Sequence, residues 1–394
     1  MSEVKDDRRS SPLDLDRYRR SSRERSYRKN LKEISPRERR RMEAAGLDFS
    51  GKGRSGTFIQ MDQSVVHAQS AQKGVEVLGV EEAGKKYSWF DDYFWKLVSA
   101  GQDEYTREVS QNAPRGYFLR TLAGVKTAFP LQSCLFLGKK NLLQSVHNII
   151  IAEENSELNI ITGCATASYV KEGLHLGISE IYVKSGARVT FTMIHNWAEE
   201  VAVRPRTVTM VEEGGTFISN YICLKPVKNL QMYPTAILKK GAVASFNSIL
   251  FAHPGSSLDV GSRVILKGEG SRAEVVSRAV SNGGTIIARG YLRGEVKGIR
   301  AHLECRGLII SRKGKIHAIP ELEALVSDLD MSHEAAVGKI AREEIEYLMA
   351  RGLSEGEATS TIVRGFMDVS ILGLPPALEK QVDQAISACE KEAF

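Results

Sequence analysis

A ladder of turn glycines is the feature that most restricts the folds open to this chain. Gly173, Gly186, Gly214, Gly241, Gly255, Gly270, Gly284, Gly298 and Gly314 follow one another at sequence intervals of 13, 28, 27, 14, 15, 14, 14 and 16. The two longest intervals are double the others, so one turn recurs at each single interval and one turn is passed over in each double one. Between the turns lie short β-branched and aromatic runs at 148–152, 178–183, 188–194, 207–211, 216–222, 243–250, 262–266, 274–279, 285–289 and 308–310, without helical periodicity. Units of this length hold one or two strands each and bury their apolar face only by stacking on the next, which specifies a β-solenoid. A β-sandwich or barrel is the rival, but it places turns about every 8 to 12 residues, and the spacing here is longer and steadier.

The texture differs on either side of this region. Across 56–130 the pattern is mixed, with helix-like spacing at 75–86 and 89–98; Phe90, Tyr93, Phe94 and Leu97 share one face there, and Asp91 and Asp92 the other. After Pro320, Ile345, Leu348 and Met349 form a helical stripe stopped by Gly352. Ser354 and Glu357 form a capping box opening a second helix through Ile362, Val363 and Phe366, and a third is expected over 376–389. The expected organisation is a disordered basic tail (1–55), an N-terminal α/β region (56–130), a β-solenoid core (131–318) and a C-terminal helical domain (319–394) that offers a docking surface.

Charge narrows the function. The net charge is +6, yet the segment 1–54 holds 17 Lys and Arg against 10 Asp and Glu, so the tail carries +7 and the rest of the chain −1. The near-neutral body excludes a specific nucleic-acid binder on charge. Runs such as Arg17-Tyr18-Arg19-Arg20-Ser21-Ser22-Arg23 have too little apolar surface to offset the entropy of ordering, so the tail is expected to be solvated. No apolar stretch reaches the roughly 18 residues of a membrane span, and the segment 1–40 shows no secretory h-region. Cys134, Cys164, Cys223, Cys305 and Cys389 are widely spaced with no CxxC, as expected of a reducing, cytoplasmic compartment.

Few motifs carry chemistry. Gly79-Val80-Glu81-Glu82-Ala83-Gly84-Lys85-Lys86 has the outer spacing of a phosphate loop, but Lys86 stands where a Ser or Thr must hold magnesium, so ATP would belong to a partner. A β-solenoid lyase or hydrolase would need carboxylates on one strand face, whereas Asp259 and Glu269 fall in turns and Glu274 stands alone. Cys305 lies near the end of the β region and His333-Glu334 at the expected start of the helices. That mixed thiol, imidazole and carboxylate set suits iron or an iron–sulfur cluster. A buried structural cysteine and a surface histidine are the plainer alternative for these residues, and for Cys164.

These residues also carry a family resemblance. Ser332-His333-Glu334-Ala335-Ala336-Val337-Gly338-Lys339-Ile340, with Glu344, Tyr347-Leu348-Met349, Arg351-Gly352-Leu353-Ser354, Ala358 and Ile362-Val363-Arg364-Gly365-Phe366, resembles the C-terminal signature of the SufB/SufD proteins, scaffold components of the SUF iron–sulfur assembly machine. The resemblance extends back through Cys305, Tyr233-Pro234, Ile237-Leu238, Asn196-Trp197 and Gly163-Cys164, covering roughly residues 75–370.

The resemblance implies a right-handed parallel β-helix with flanking helical parts, dimerisation through the β-helix, and a SufC-type ATPase on the C-terminal helices. It implies a scaffold and not an enzyme, with a transient iron–sulfur cluster; flavin is a second cofactor it admits, with no residue pattern on which to place it. By the same resemblance Cys305 is the cluster-assembly thiol, Cys164 receives sulfur and passes it inward, and His333 and Glu334 join Cys305 at the metal site. Ser332, Val337 and Gly338 are more SufD-like, while both SufB-like cysteines are present. A homodimer in which Cys305 of one copy meets His333 of the other, a SufB/SufD-type heterodimer, and a SufD-like structural partner without its own cluster all remain open.

Overall fold

The structure, a computed structural model, describes residues 13–50 and 53–367; the helix expected over 376–389 lies outside them. The fold is a β-solenoid of about eight turns. Its first sheet runs, neighbour to neighbour, Ser64–Ser70, Gly56–Met61, Leu131–Leu137, Glu157–Thr166, Arg188–Asn196, Thr216–Cys223, Val243–Ala252, Arg272–Ser281, Arg300–Ile309 and Asp330–Lys339. The second runs Val75–Gly79, Tyr117–Thr121, Leu142–Ala152, Glu172–Val183, Glu200–Val211, the broken strand Asn229–Met232 with Thr235–Leu238, Ser257–Leu266, Thr285–Gly294 and Lys315–Ala324. All pairings are parallel except the first in each sheet.

The glycine ladder has a direct physical cause. Gly186, Gly214, Gly241, Gly270 and Gly298 stack along one edge, one to each rung, with φ between +61° and +72°, a left-handed backbone that only glycine adopts without strain. The Gly186 N–H donates to Glu213 O and that of Gly214 to Lys240 O, so each turn is bonded to the next. One rung therefore spans two of the shorter ladder intervals and contains two strands. Gly255 and Gly283 serve the opposite edge, whereas Gly173 lies inside the strand Glu172–Val183.

Alternate residues of each strand face the interior, where one apolar cluster runs from Phe58 through Leu135, Val189, Phe217, Leu250 and Ile286 to Leu303. All ten runs read as strands from sequence fall within or overlap observed strands, but the solenoid is longer than the sequence indicates. It begins at Gly56, and the strands Lys315–Ala324 and Asp330–Lys339 extend it past residue 318, so His333 lies on a strand and not at a helix start.

Three further expectations are corrected. Residues 75–86 divide into the strand Val75–Gly79 and the helix Val80–Lys86. Residues 89–98 form only a short 3₁₀ turn, Phe90–Asp92. The buried Glu180 carboxylate accepts the N–H groups of Trp95, Lys96 and Val98 at 2.6, 2.7 and 3.0 Å, and that of Leu97, replacing the bonds a helix would make. The segment 13–50, expected to be a disordered tail, is an ordered strap. Leu31, Ile34, Met42, Ala45 and Leu47 pack on Ile59, Met61, Phe136 and Ala165. Its arginines find carboxylates on the body: Arg20 meets Glu108 at 2.7 Å and Arg25 meets the buried Asp62 at 2.8 Å. The helix Pro36–Glu43, capped by Ser35, lies beside the corner loop at Thr166–Ser168, where Arg41 donates to Thr166 O at 3.0 Å and Arg37 to Ser168 Oγ at 2.7 Å.

At the other end, the helix Glu355–Phe366 folds back on the outer face of the first sheet: Val363 and Met367 pack on Ile194, Ile222, Ile249 and Val280. The preceding helix, Arg342–Met349, buries no residue, and its Tyr347 is 60% exposed.

Candidate functional site

Cys305 occupies the strand Arg300–Ile309 and faces inward with Leu303, 2% exposed. Burial first, and the neighbouring Glu304 carboxylate second, push its thiol up to about 11. The terminal strand pairs with it in the register Leu303 to His333, Glu304 to Glu334 and Cys305 to Ala335. His333 therefore shares the inward face of Cys305, one diagonal step away, a separation of about 7–8 Å in sheet geometry. Glu334 follows Glu304 onto the outer face, and the structure does not bring it together with the other two. Among the described residues, no three His, Cys, Asp or Glu side chains converge to hold a metal ion.

The rung that carries His333 is open. Several of its inward-facing positions, which are buried one rung earlier, are here exposed: Val337 is 42% and Leu322 39% exposed, and His333 and Ala335 are also exposed. The strands Lys315–Ala324 and Asp330–Lys339 each pair on one side only among the described residues, leaving two backbone edges beside that apolar face.

Cys164 lies five rungs away, buried and inward-facing on Glu157–Thr166. Register places His195 beside it and Cys223 beside His195, so thiol, imidazole and thiol occupy successive rungs of one interior column. Burial raises the Cys164 thiol well above its ordinary range and lowers the His195 imidazole well below its own, so both are neutral near pH 7. The adjacent interior column reads Ser133, Thr162, Met193, Tyr221, Ser248, Ser277 and Cys305. Ser133 and Thr162 hydroxyls are 2.7 Å apart, Tyr221 Oη lies 2.7 Å from His195 Nδ1, and Ser248 donates to Ser277 at 3.1 Å. Apart from Met193 this column is polar inside an apolar solenoid, and it runs from beside Cys164 to Cys305. Midway it opens into a cavity of about 30 Å³ lined in part by Met193, Tyr221 and Ser248, room for about one water molecule.

These interior residues carry a signal in the sequence that short motifs do not capture. Tyr221, Ser248, Ser277 and Cys305 follow one another at intervals of 27, 29 and 28, the rung repeat itself. Superimposing the glycine ladder on itself brings them into one column. The carboxylates weighed for an acid/base enzyme do not converge: Asp259 pairs with Arg289 at 2.5 Å, on the outer face.

The family described as "SUF system FeS cluster assembly, SufBD core domain" matches residues 135–366, more than half the chain, with Cys164, Cys305, His333 and Glu334 inside the match. The chain belongs to the SufBD family. A protein named "Iron-sulfur cluster assembly SufBD family protein" from Archaeoglobus fulgidus is 51% identical over 355 residues, which is 90% of this chain and 96% of that relative. One of the same family from Methanothermobacter thermautotrophicus is 51% identical over 347 residues, 86% of this chain and 85% of its own. A relative from Staphylococcus haemolyticus is 31% identical over 342 residues, 84% of this chain and 73% of its own. Membership accords with the β-solenoid, and no helix among the described residues is long and apolar enough to cross a membrane.

Proposed function

We propose that this SufBD-family protein is a scaffold subunit on which iron–sulfur clusters are assembled before transfer, without catalytic turnover of its own. The observation that carries the reading is the polar interior line, which begins beside the buried Cys164 and ends at Cys305, next to an open rung bearing His333. In this reading Cys164 receives sulfur, the hydroxyl line provides a path through an otherwise apolar core, and Cys305 with His333 holds the growing cluster as cargo. A thiolate binds iron and sulfur firmly and an imidazole is more easily displaced, so mixed ligation favours both capture and release. The partial ligand set of one chain is completed by a second copy docked on the open rung, which brings its own Cys305 and His333. Glu334, on the outer face of the edge strand, is available to incoming ferrous iron at that junction. The helices Arg342–Met349 and Glu355–Phe366, with Tyr347 and Met349 exposed, are the docking surface for a SufC-type ATPase whose motions strain the junction.

Anaerobic reconstitution with ferrous iron and sulfide tests this directly. The protein is expected to develop sulfur-to-iron charge-transfer absorption that Cys305→Ala loses; equal absorption in the variant would defeat the assignment. A second reading, a SufD-like partner with no cluster of its own, draws support from the opposite facing of His333 and Glu334. Co-purification with the ATPase but no cluster on this chain alone, and no effect of Cys164→Ala, would favour it.

A further inference from the structure

The corner at which Glu157–Thr166, Arg188–Asn196 and Thr216–Cys223 leave the first sheet holds a recess of about 360 Å³. Arg41 of the strap helix, Lys171, Lys225 and His253 line it, with Glu199 as the carboxylate among them. Three fixed cations against one anion make it basic, although the body as a whole is near neutral. Trp197, 3% exposed, also lines the recess, and on its other side meets the interior: its ring centroid is 5.6 Å from that of His195 and 5.0 Å from that of His175. His195 is the register neighbour of Cys164. One indole therefore stands between a basic outer recess and the column that holds Cys164. Beside it, Trp197 Nε1 and Asn196 Oδ1 are buried without a hydrogen-bond partner, which leaves one donor and one acceptor for a guest or its water.

We infer that this recess is the entry site for a small anionic persulfide, a low-molecular-weight thiol persulfide bearing a carboxylate, from which Cys164 draws sulfur. The inference rests on the proposed role of Cys164 as sulfur acceptor and supplies the donor class. The recess has small-molecule dimensions, and the buried thiol behind it is out of reach of a protein surface. The cationic wall concentrates anions at the mouth and holds the carboxylate, while the sulfane sulfur is the end that passes Trp197. The transfer balances without an external oxidant: Cys164 Sγ attacks the outer sulfur of R–S–SH, the donor S–S bond breaks as the new one forms, and the thiol proton passes to the departing R–S⁻. The products are Cys164 persulfide and R–SH.

The test uses the full chain and two probes, cysteine persulfide and uncharged benzyl persulfide, and follows the gain of one sulfur atom at Cys164 by peptide mass spectrometry. Lys171→Glu together with Lys225→Glu is expected to slow loading from cysteine persulfide roughly tenfold and to leave benzyl persulfide unaffected. Because Lys225 is buried, the exposed single variant Lys171→Glu is run in parallel, with a smaller slowing confined to the charged probe. Equal slowing with both probes, or none, overturns the entry site while leaving the acceptor role of Cys164 intact. Loading from neither probe nor from persulfidated albumin overturns both. Loading from persulfidated albumin but not from cysteine persulfide assigns the sulfur to a protein donor and overturns the small-molecule source.

Discussion

Alkylation of Cys305 reads out the environment on which the proposed chemistry depends. Burial and Glu304 place its thiol near 11, about two units above an exposed cysteine. At pH 8 roughly one molecule in a thousand then carries the thiolate, the form that reacts with iodoacetamide, about a hundredfold less than for an unhindered thiol. The rate measured by mass spectrometry of the Cys305 peptide should rise about tenfold per pH unit up to pH 10 and level off near 11. Glu304→Gln removes the second cause, so the thiol should become more acidic and react a few-fold faster; the effect is limited because Arg306 already pairs with Glu304 at 2.6 Å. The same shift has a consequence for stability. The unfolded chain gives up this proton near pH 9 and the folded chain only near 11, so between those values the unfolded state binds fewer protons. Stability is therefore full below about pH 9 and falls by up to about 3 kcal/mol as pH rises to 11. An apparent pKa near 8.5 with the reactivity of a free thiol would mean that Cys305 reacts from an opened rung, and would refute the reasoning.

Other outcomes follow from the same geometry. Val337→Glu places a carboxylate in the exposed apolar face of the last rung, and should convert a dimer to a monomer by sedimentation while leaving the circular dichroism unchanged; an undisturbed dimer would remove the open rung from the interface. Ser277→Ala deletes the hydroxyl and nothing else, so sulfur loaded at Cys164 should still arrive there but appear at Cys305 several-fold more slowly; unaltered delivery would count against the interior line. Glu180→Gln should cost about 3–5 kcal/mol in denaturant unfolding, because the carboxylate is fully buried against four backbone N–H groups and against His147 Nε2 at 2.8 Å; a loss under about 1 kcal/mol would contradict the clasp. Deleting residues 1–50 uncovers Ile59, Met61 and Phe136 and should lower the melting temperature and yield aggregates. A truncated chain as stable as the whole would show that the strap contributes nothing.

The legible parts of this sequence are those in which one residue type is compelled. A left-handed turn strains any residue that carries a Cβ, so the glycines of 186, 214, 241, 270 and 298, with φ between +61° and +72°, announce both the fold and its period. The strap was illegible for the opposite reason: its apolar residues are few and widely spaced, and Ile34 or Met42 gains stability only against strands far away in sequence. Its charge density imitates a solvated tail, and Arg25 against Asp62 becomes visible only once the chain is folded. The irregular stretch at 89–98 has helical spacing but loses its N–H groups to Glu180, far along the chain on another strand, a partner that local periodicity cannot register. At the site, resemblance supplied Cys164, Cys305, His333 and Glu334, while strand parity decides which can cooperate. On a helix, adjacent residues lie about 100° apart; on a strand they point in opposite directions, and His333 parts from Glu334.

The two ends of the solenoid are unlike. Near its start the hairpin Gly56–Ser70 reverses the strand direction, and the strap lies along it, with the Arg28 N–H donating to Val66 O and the Arg25 N–H to Ser64 Oγ. At its finish, among the described residues, no strand follows on Lys315–Ala324 or Asp330–Lys339. A stack of identical rungs with two bare ends would add copies head to tail without limit and grow into a fibre. In the proposed dimer the bare finish is the docking end, so association would bring finish against finish, related by a twofold axis, and would be satisfied at two copies. In that arrangement the strap would also act as a terminator, and a partner that shares the fold would present its own open end in order to dock.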